Sequence, residues 1–129
     1  MGLDNGFRVT GITPEDLPPG VTYDEWIWEN YNEMELFYMR KYWGLRGDIL
    51  RVLHADGECE VDVDVEDIPA ILKRVRKYMY PDFWYDHADS IWDADQAFPN
   101  LVQGYINLSW LHDYMEKHPE VGCFFYDYY

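Results

Sequence analysis

Basic residues are scarce in this chain: ten Lys and Arg stand against 25 Asp and Glu, a formal net charge of −15 at pH 7. A surface of that sign repels nucleic acid and anionic membranes, so direct nucleic-acid binding is not expected, and it attracts basic partners. Cysteine is also sparse. Cys59 and Cys123 alone cannot make a disulfide framework and read as free, mostly buried thiols. Serine occurs only at 90 and 109, neither in the Gly-x-Ser-x-Gly elbow of a hydrolase, and no P-loop or Gly-x-Gly-x-x-Gly stretch is present. No run approaches the roughly 20 apolar residues of a membrane span, and the N-terminus lacks the basic and apolar segments of a secretory signal. Gly6 stands where a myristoylation motif requires Ser or Thr. Together these absences point to a soluble, cytoplasmic protein with no cofactor, and they argue against familiar catalysis.

What is abundant excludes disorder. Hydrophobic residues make up 48% and aromatic residues 19% of the 129, enough to build a core in one domain spanning 1–129.

Periodicity divides the chain. Residues 6–12 read as a short strand after an Asp4-Asn5-Gly6 turn. Thr13-Pro14 opens a single helical turn that Pro18-Pro19-Gly20 stops. Thr22 with Glu25 forms a capping box for a short helix through Trp26 and Trp28. From Asn32 to His54, apolar residues at 34, 38, 42, 45, 49 and 52 follow the spacing of one long helix. Cys59, Val61, Val63 and Val65 alternate with acids, the pattern of a half-buried strand. Ile68, Ile71, Leu72, Val75 and Met79 restore helical spacing. Ser90 caps a short helix to Ala97, and Pro99-Asn100 starts a last long helix that Pro119 closes. The ending, residues 121–129, is an aromatic strand placed to pair with residues 6–12. The fold class expected is α+β: about three main helices packed on a small, mostly antiparallel sheet of about three short strands.

Metal-ligand spacing is weak. His112 and His118 are six apart, so they cannot form a His-x-x-x-His clamp. Asp86-His87-Ala88-Asp89 and His54-Ala55-Asp56 are the denser groups, and both read as hydrogen-bonded loops; no metal is expected. Asp62, Asp64 and Glu66 sit at the first positions of an EF-hand-like loop, but Asp67 and Lys73 occupy the places of its Gly and Glu.

The acidic stretch is the most specific feature. Between Asp56 and Asp67 acids recur with no base. Glu58, Glu60, Asp62, Asp64 and Glu66 share one parity, so a strand would project them from one face at steps of about 6.8 Å. Such a ladder can imitate a nucleic-acid backbone. It can equally be an edge strand defended by charge, or pair with Lys73, Arg74, Arg76 and Lys77. Asp82, Asp86, Asp89, Asp93 and Asp95 form a second acidic group, with Trp84 and Tyr85 as apolar anchors of the kind interfaces use.

The opening Met1-Gly2-Leu3-Asp4-Asn5-Gly6, residues 38–46 (Tyr-Met-Arg-Lys-Tyr-Trp-Gly-Leu-Arg), Ser90-Ile91-Trp92-Asp93 and Phe125-Tyr126-Asp127-Tyr128-Tyr129 resemble a group of small uncharacterised proteins from bacteria and their phages. The resemblance implies a mobile-element context, and hence a host cytoplasm for a phage-encoded chain. Two functions are expected from these observations. One is an interaction module, in that context a counter-defence inhibitor that mimics nucleic acid. It would bind a basic, nucleic-acid-handling protein through Glu58, Glu60, Asp62, Asp64, Glu66, Asp82, Trp84, Tyr85, Asp86 and Asp89. The alternative is a nucleotide or divalent-metal site near Asp86, His87 and Asp89, lined by Arg40, Arg46 and Arg51.

Overall fold

A computed structural model describes residues 4–18, 21, 24–40, 42–57, 59–80 and 91–128, with only the backbone for 91–97. The elements in order are β1 (Asp4–Thr10), α1 (Glu25–Tyr31), β2 (Glu33–Arg40), α2 (Trp43–Leu53), β3 (Glu60–Asp62), α3 (Ile68–Lys77), α4 (Ile91–Lys117) and β4 (Gly122–Tyr128). Short 3₁₀ turns lie at Pro14–Asp16 and Val65–Asp67. The protein is α+β, and its sheet runs β2-β1-β4-β3 with every pairing antiparallel.

The expected pairing of the two ends of the chain is present: β1 pairs with β4 from Asp4↔Tyr128 to Thr10↔Gly122. Side chains alternate across a strand, so Phe7 and Val9 of β1 join Cys123 and Phe125 of β4 on one face. Against that face pack Leu45 and Ile49 of α2, Ile71 and Val75 of α3, and Leu101 and Leu108 of α4, in one hydrophobic cluster.

The long helix expected over 32–54 is not formed. Its first part is β2, and only Trp43–Leu53 is helical. The reason is a bulge. Phe7 opposes Phe37 but Arg8 opposes Glu35, so Leu36 is an extra residue in β2. Met34 then faces the core on one side of the bulge, and Phe37 and Met39 on the other. A strand whose parity changes midway breaks the two-residue alternation, and in sequence it mimics a period near 3.6. Asn32 does not start a helix; it ends α1, in the left-handed conformation (φ 56°) with its N–H donating to the Trp28 carbonyl. Asp24 caps α1, accepting from the Ile27 N–H, and Thr22 lies outside the described residues.

Helix α4 is fitted to the bulge. Buried Asn107 donates to the Leu36 carbonyl at 2.8 Å and accepts from Gln103 at 2.9 Å. One turn earlier, Gly104 lies so close to β2 that a Cβ there would stand 2.5 Å from the Phe37 ring. Asn100, another turn back, donates to the Tyr38 carbonyl at 2.8 Å. Gly104→Ala should therefore lower stability by about 1 kcal/mol in a urea titration: overpacking a core costs about 1–3 kcal/mol and the better helix propensity returns up to about 1. A neutral result would mean that the helix shifts freely over the sheet.

Two further expectations are corrected. The last helix begins at Ile91, not at Pro99, so the two helices anticipated on either side of Ala97 are continuous, and Pro99 lies inside, where it removes one i→i−4 hydrogen bond. The acidic strand is short. Only Glu60–Asp62 is strand, and Asp64 leaves the ladder to cap the turn Val65–Asp67: its side chain accepts from the Asp67 N–H, and the Asp67 carboxylate accepts from the Asp64 N–H.

Candidate functional site: the acidic outer face of the sheet

Alternation that sends Phe7 and Phe125 inward sends the intervening residues to the opposite face, away from the helices. The register gives four rungs there. Arg40, Asp4 and Tyr128 form the first; Tyr38, Gly6, Tyr126 and Glu60 the second. Glu35, Arg8, Phe124 and Asp62 form the third, and Glu33, Thr10 and Gly122 the fourth.

Gly6 organises this surface. Having no side chain, it lets the Tyr126 ring lie across β1; a Cβ at this position would stand 2.9 Å from the Tyr126 hydroxyl. That hydroxyl crosses β1 and donates to Glu35 Oε1 on β2. Arg8 stacks over the Tyr126 ring, 4.4 Å from its centroid, and pairs with Glu35 at 3.1 Å and Glu33 at 3.5 Å. Tyr126 is thus buried, although it points away from the main core. Burial pushes the Glu35 carboxyl up to about 6, although the Tyr126 hydroxyl and Arg8 oppose this by favouring its charged form. Burial, reinforced by Glu35, also raises the Tyr126 hydroxyl well above the ordinary tyrosine range. Both Glu35 oxygens are engaged, Oε1 by Tyr126 and Oε2 by Arg8.

Around this buried centre the face is open. Tyr38 is 43% and Tyr128 44% exposed. The Tyr38 hydroxyl donates to Asp4 at 2.5 Å and that of Tyr128 donates to Glu60. Partial burial and the Glu60 hydrogen bond push the Tyr128 hydroxyl up to about 12, so both rings remain neutral donors at physiological pH. The acids of the face, Asp4, Glu33, Glu35, Glu60 and Asp62, outnumber its bases, Arg8 and Arg40.

Beyond the third and fourth rungs the face runs into a cleft of about 450 Å³, where Thr10, Asp62, Gly122 and Phe124 meet Asp64, Glu66, Met115 and Pro119. Among the described residues no ion pair joins Glu60, Asp62, Asp64 or Glu66 to Lys73, Arg74, Arg76 or Lys77. Pairing of the acidic segment with the basic helix is thereby corrected. Cys123 also lines the cleft, but it is buried; burial and then Asp62 push its thiol up to about 12, so no thiolate nucleophile is supplied. Cys59 and Cys123 are both free.

Of the acids expected to share one strand face, Glu60 and Asp62 do so, Asp64 and Glu66 reach the cleft through the 3₁₀ turn, and Glu58 lies outside the described residues. Asp82, Trp84, Tyr85, Asp86, His87 and Asp89 lie outside them too. The three arginines expected to line one ligand site have different surroundings. Arg40 is exposed beside Asp4, Arg46 is held by buried Asp127, and Arg51 pairs with Asp48 in its own helix. Sequence reading passed over Arg8, Glu33, Glu35, Tyr38 and Tyr126. Glu33 and Glu35 fall in the span 32–54 that reads as one helix, and nothing local marks Tyr126 as crossing β1; the one available signal is Gly6 within a strand pattern.

The fold and this surface define a class, an α+β protein with helices on one face of a four-stranded antiparallel sheet and an acidic, tyrosine-bearing outer face. Comparison with protein-family models, with curated proteins and with solved structures found no match to this chain. No helix of the described residues is long and apolar enough to cross a membrane.

Proposed function

We propose that this protein is an acidic interaction module that binds a basic, nucleic-acid-handling protein through the outer face of the sheet and its adjoining cleft. In the mobile-element context suggested by its motifs, it acts in the host cytoplasm as a counter-defence inhibitor that mimics nucleic acid. The reading is carried by one observation: exposed Tyr38 and Tyr128 share the outer face and its adjoining cleft with Glu60, Asp62, Asp64 and Glu66, four carboxylates that have no Lys or Arg partner among the described residues. Tyrosine gives a large, rigid contact area, and unpaired carboxylates steer a basic partner onto it. The cleft adds a place for long basic side chains. Met115, Pro119 and Phe124 can take the aliphatic stem of Lys or Arg, while Asp62, Asp64 and Glu66 meet its charged head.

The test uses a triple variant, Glu60→Lys, Asp62→Lys and Glu66→Lys, and a panel of basic bacterial nucleases and DNA-binding proteins. The native protein should displace labelled duplex DNA from at least one of them at low salt, and progressively less as salt rises. The variant should melt within about 5 °C of the native protein, since exposed charges away from caps change stability by only about 0.5 kcal/mol each, yet lose the displacement. If no panel member releases DNA, or if the variant competes as well as the native chain, the proposal fails. Asp64 is kept out of the set because it caps the turn. Asp64→Lys alone should lower stability by about 1 kcal/mol, within the usual range for losing an N-cap, as read by chemical denaturation.

A further inference from the structure

The C-terminal end of α4 carries three donor side chains that neither the fold nor the acidic face employs. His112 and Glu116 are one helical turn apart on the same side, and Asp113 reaches back toward them. His112 Nδ1 lies 3.2 Å from Glu116 Oε1 and 3.4 Å from Asp113 Oδ1. We propose that His112, Asp113 and Glu116 form a site for a divalent transition-metal ion, with Zn²⁺ the best fit.

Geometry is the first support. Zinc–nitrogen and zinc–oxygen bonds of about 2.0–2.1 Å in a tetrahedron place neighbouring donors about 3.3–3.4 Å apart. An octahedral Mg²⁺ site with bonds of similar length requires edges of about 2.9 Å. Two of the three separations already match the edges of a tetrahedron, and the donor types select the ion. All three donor atoms lie within 4.8 Å of one another, and Asp113 and Glu116 are 78% and 57% exposed, so their carboxylates can rotate to close the third edge without disturbing the core.

Charge is the second support. Neither Asp113 nor Glu116 has a Lys or Arg partner among the described residues; His112 is the only group paired with them. The site also lies within the last two turns of α4, which ends at Lys117. Of the three donors Glu116 falls in the last turn, where the negative end of the helix dipole favours a cation. The donor set of one imidazole nitrogen and two carboxylate oxygens suits Zn²⁺ better than the hard, all-oxygen preference of Mg²⁺ or Ca²⁺. Three protein ligands leave the fourth position of the tetrahedron to water or to a side chain from another molecule. Spacing alone hid this group, because the second histidine, His118, pairs with Glu120 instead.

Isothermal titration of the full chain with ZnCl₂, alongside thermal melts, tests the site independently of the acidic face. One Zn²⁺ should bind and raise the melting temperature. His112→Ala and Glu116→Gln should each weaken binding about tenfold or more, while His118→Ala and Cys59→Ser should leave it unchanged. Excess Mg²⁺ should not compete. These residues are at the surface, so the variants should keep the native melting temperature without metal. The proposal is overturned if Zn²⁺ gives neither heat nor a melting shift, or if binding survives His112→Ala. Equal competition by Mg²⁺ would also overturn it, as it would show only a general attraction of cations to an acidic surface.

Discussion

Asp127→Ala is expected to destabilise the protein by about 3–5 kcal/mol, the range for removing one partner of a buried ion pair. Asp127 has no exposed surface, and the Arg46 side chain is only 12% exposed. The pair is bidentate: Arg46 Nε donates to Oδ1 at 2.8 Å and Nη2 to Oδ2 at 2.9 Å. Asn5 also donates to Oδ1, at 3.4 Å, and the Trp43 ring lies 5.8 Å from the guanidinium carbon. At Gly57, with φ of 100°, a Cβ would stand 2.6 Å from Arg46 Nη2, so the chain after α2 is shaped around this guanidinium. Alanine at 127 leaves Arg46 charged, nearly dry and without its carboxylate. The pair also ties the last strand to the start of α2, across most of the sequence. Urea denaturation of Asp127→Ala, Arg46→Met and the double variant measures the coupling. The double variant should cost much less than the sum of the single ones, because two apolar side chains leave no buried charge. A loss below about 1 kcal/mol for Asp127→Ala would show that water reaches the pair.

Glu35→Gln is expected to stabilise the protein above pH 6, by up to about 2 kcal/mol, and to remove a pH dependence. Burial raises the folded-state pKa of Glu35 to about 6, against an ordinary 4.5. Between those values the folded state holds a proton that the unfolded state has released. Stability therefore falls as pH rises from about 4.5 to 6, and stays lower above that. At about 1.4 kcal/mol per unit the fall amounts to about 2 kcal/mol. The Glu35 side chain is 25% exposed, so the full value is an upper bound. Glutamine keeps an oxygen to accept from Tyr126 and carries no charge to desolvate, while its NH2 group replaces the oxygen that accepts from Arg8 Nε, which reduces the gain. Its melting temperature should exceed that of the native chain by several degrees at pH 7.5, and the difference should vanish below pH 4.5. If Glu35→Gln melts lower at pH 7.5, the ion pair with Arg8 outweighs desolvation, and the centre of the outer face is held together by charge.

Much of this architecture was legible because it depends on short-range pattern. Alternation in 6–10 and 122–128, helical spacing in 68–77 and 101–115, and the breaks at Gly57 and Pro119 each reflect a local requirement of backbone geometry, whereas the turn expected at Asp4-Asn5-Gly6 is the first part of β1. The α+β class, the pairing of β1 with β4 and the acidic character of the surface follow from these patterns and from composition. Sequence could not identify β2, because the Leu36 bulge is stabilised by the Asn107 amide 71 positions away, and only that distant donor makes the broken alternation a strand. Nor could it separate the acids by role. Glu60 and Asp62 are exposed on an edge strand, Asp64 is a cap, Glu35 lies half-buried under Tyr126, and Asp127 is the core partner of Arg46. These residues are chemically alike along the chain. Depth, and the identity of the group brought opposite each one, differ only after long-range pairing, and desolvation and Coulomb energies depend on both.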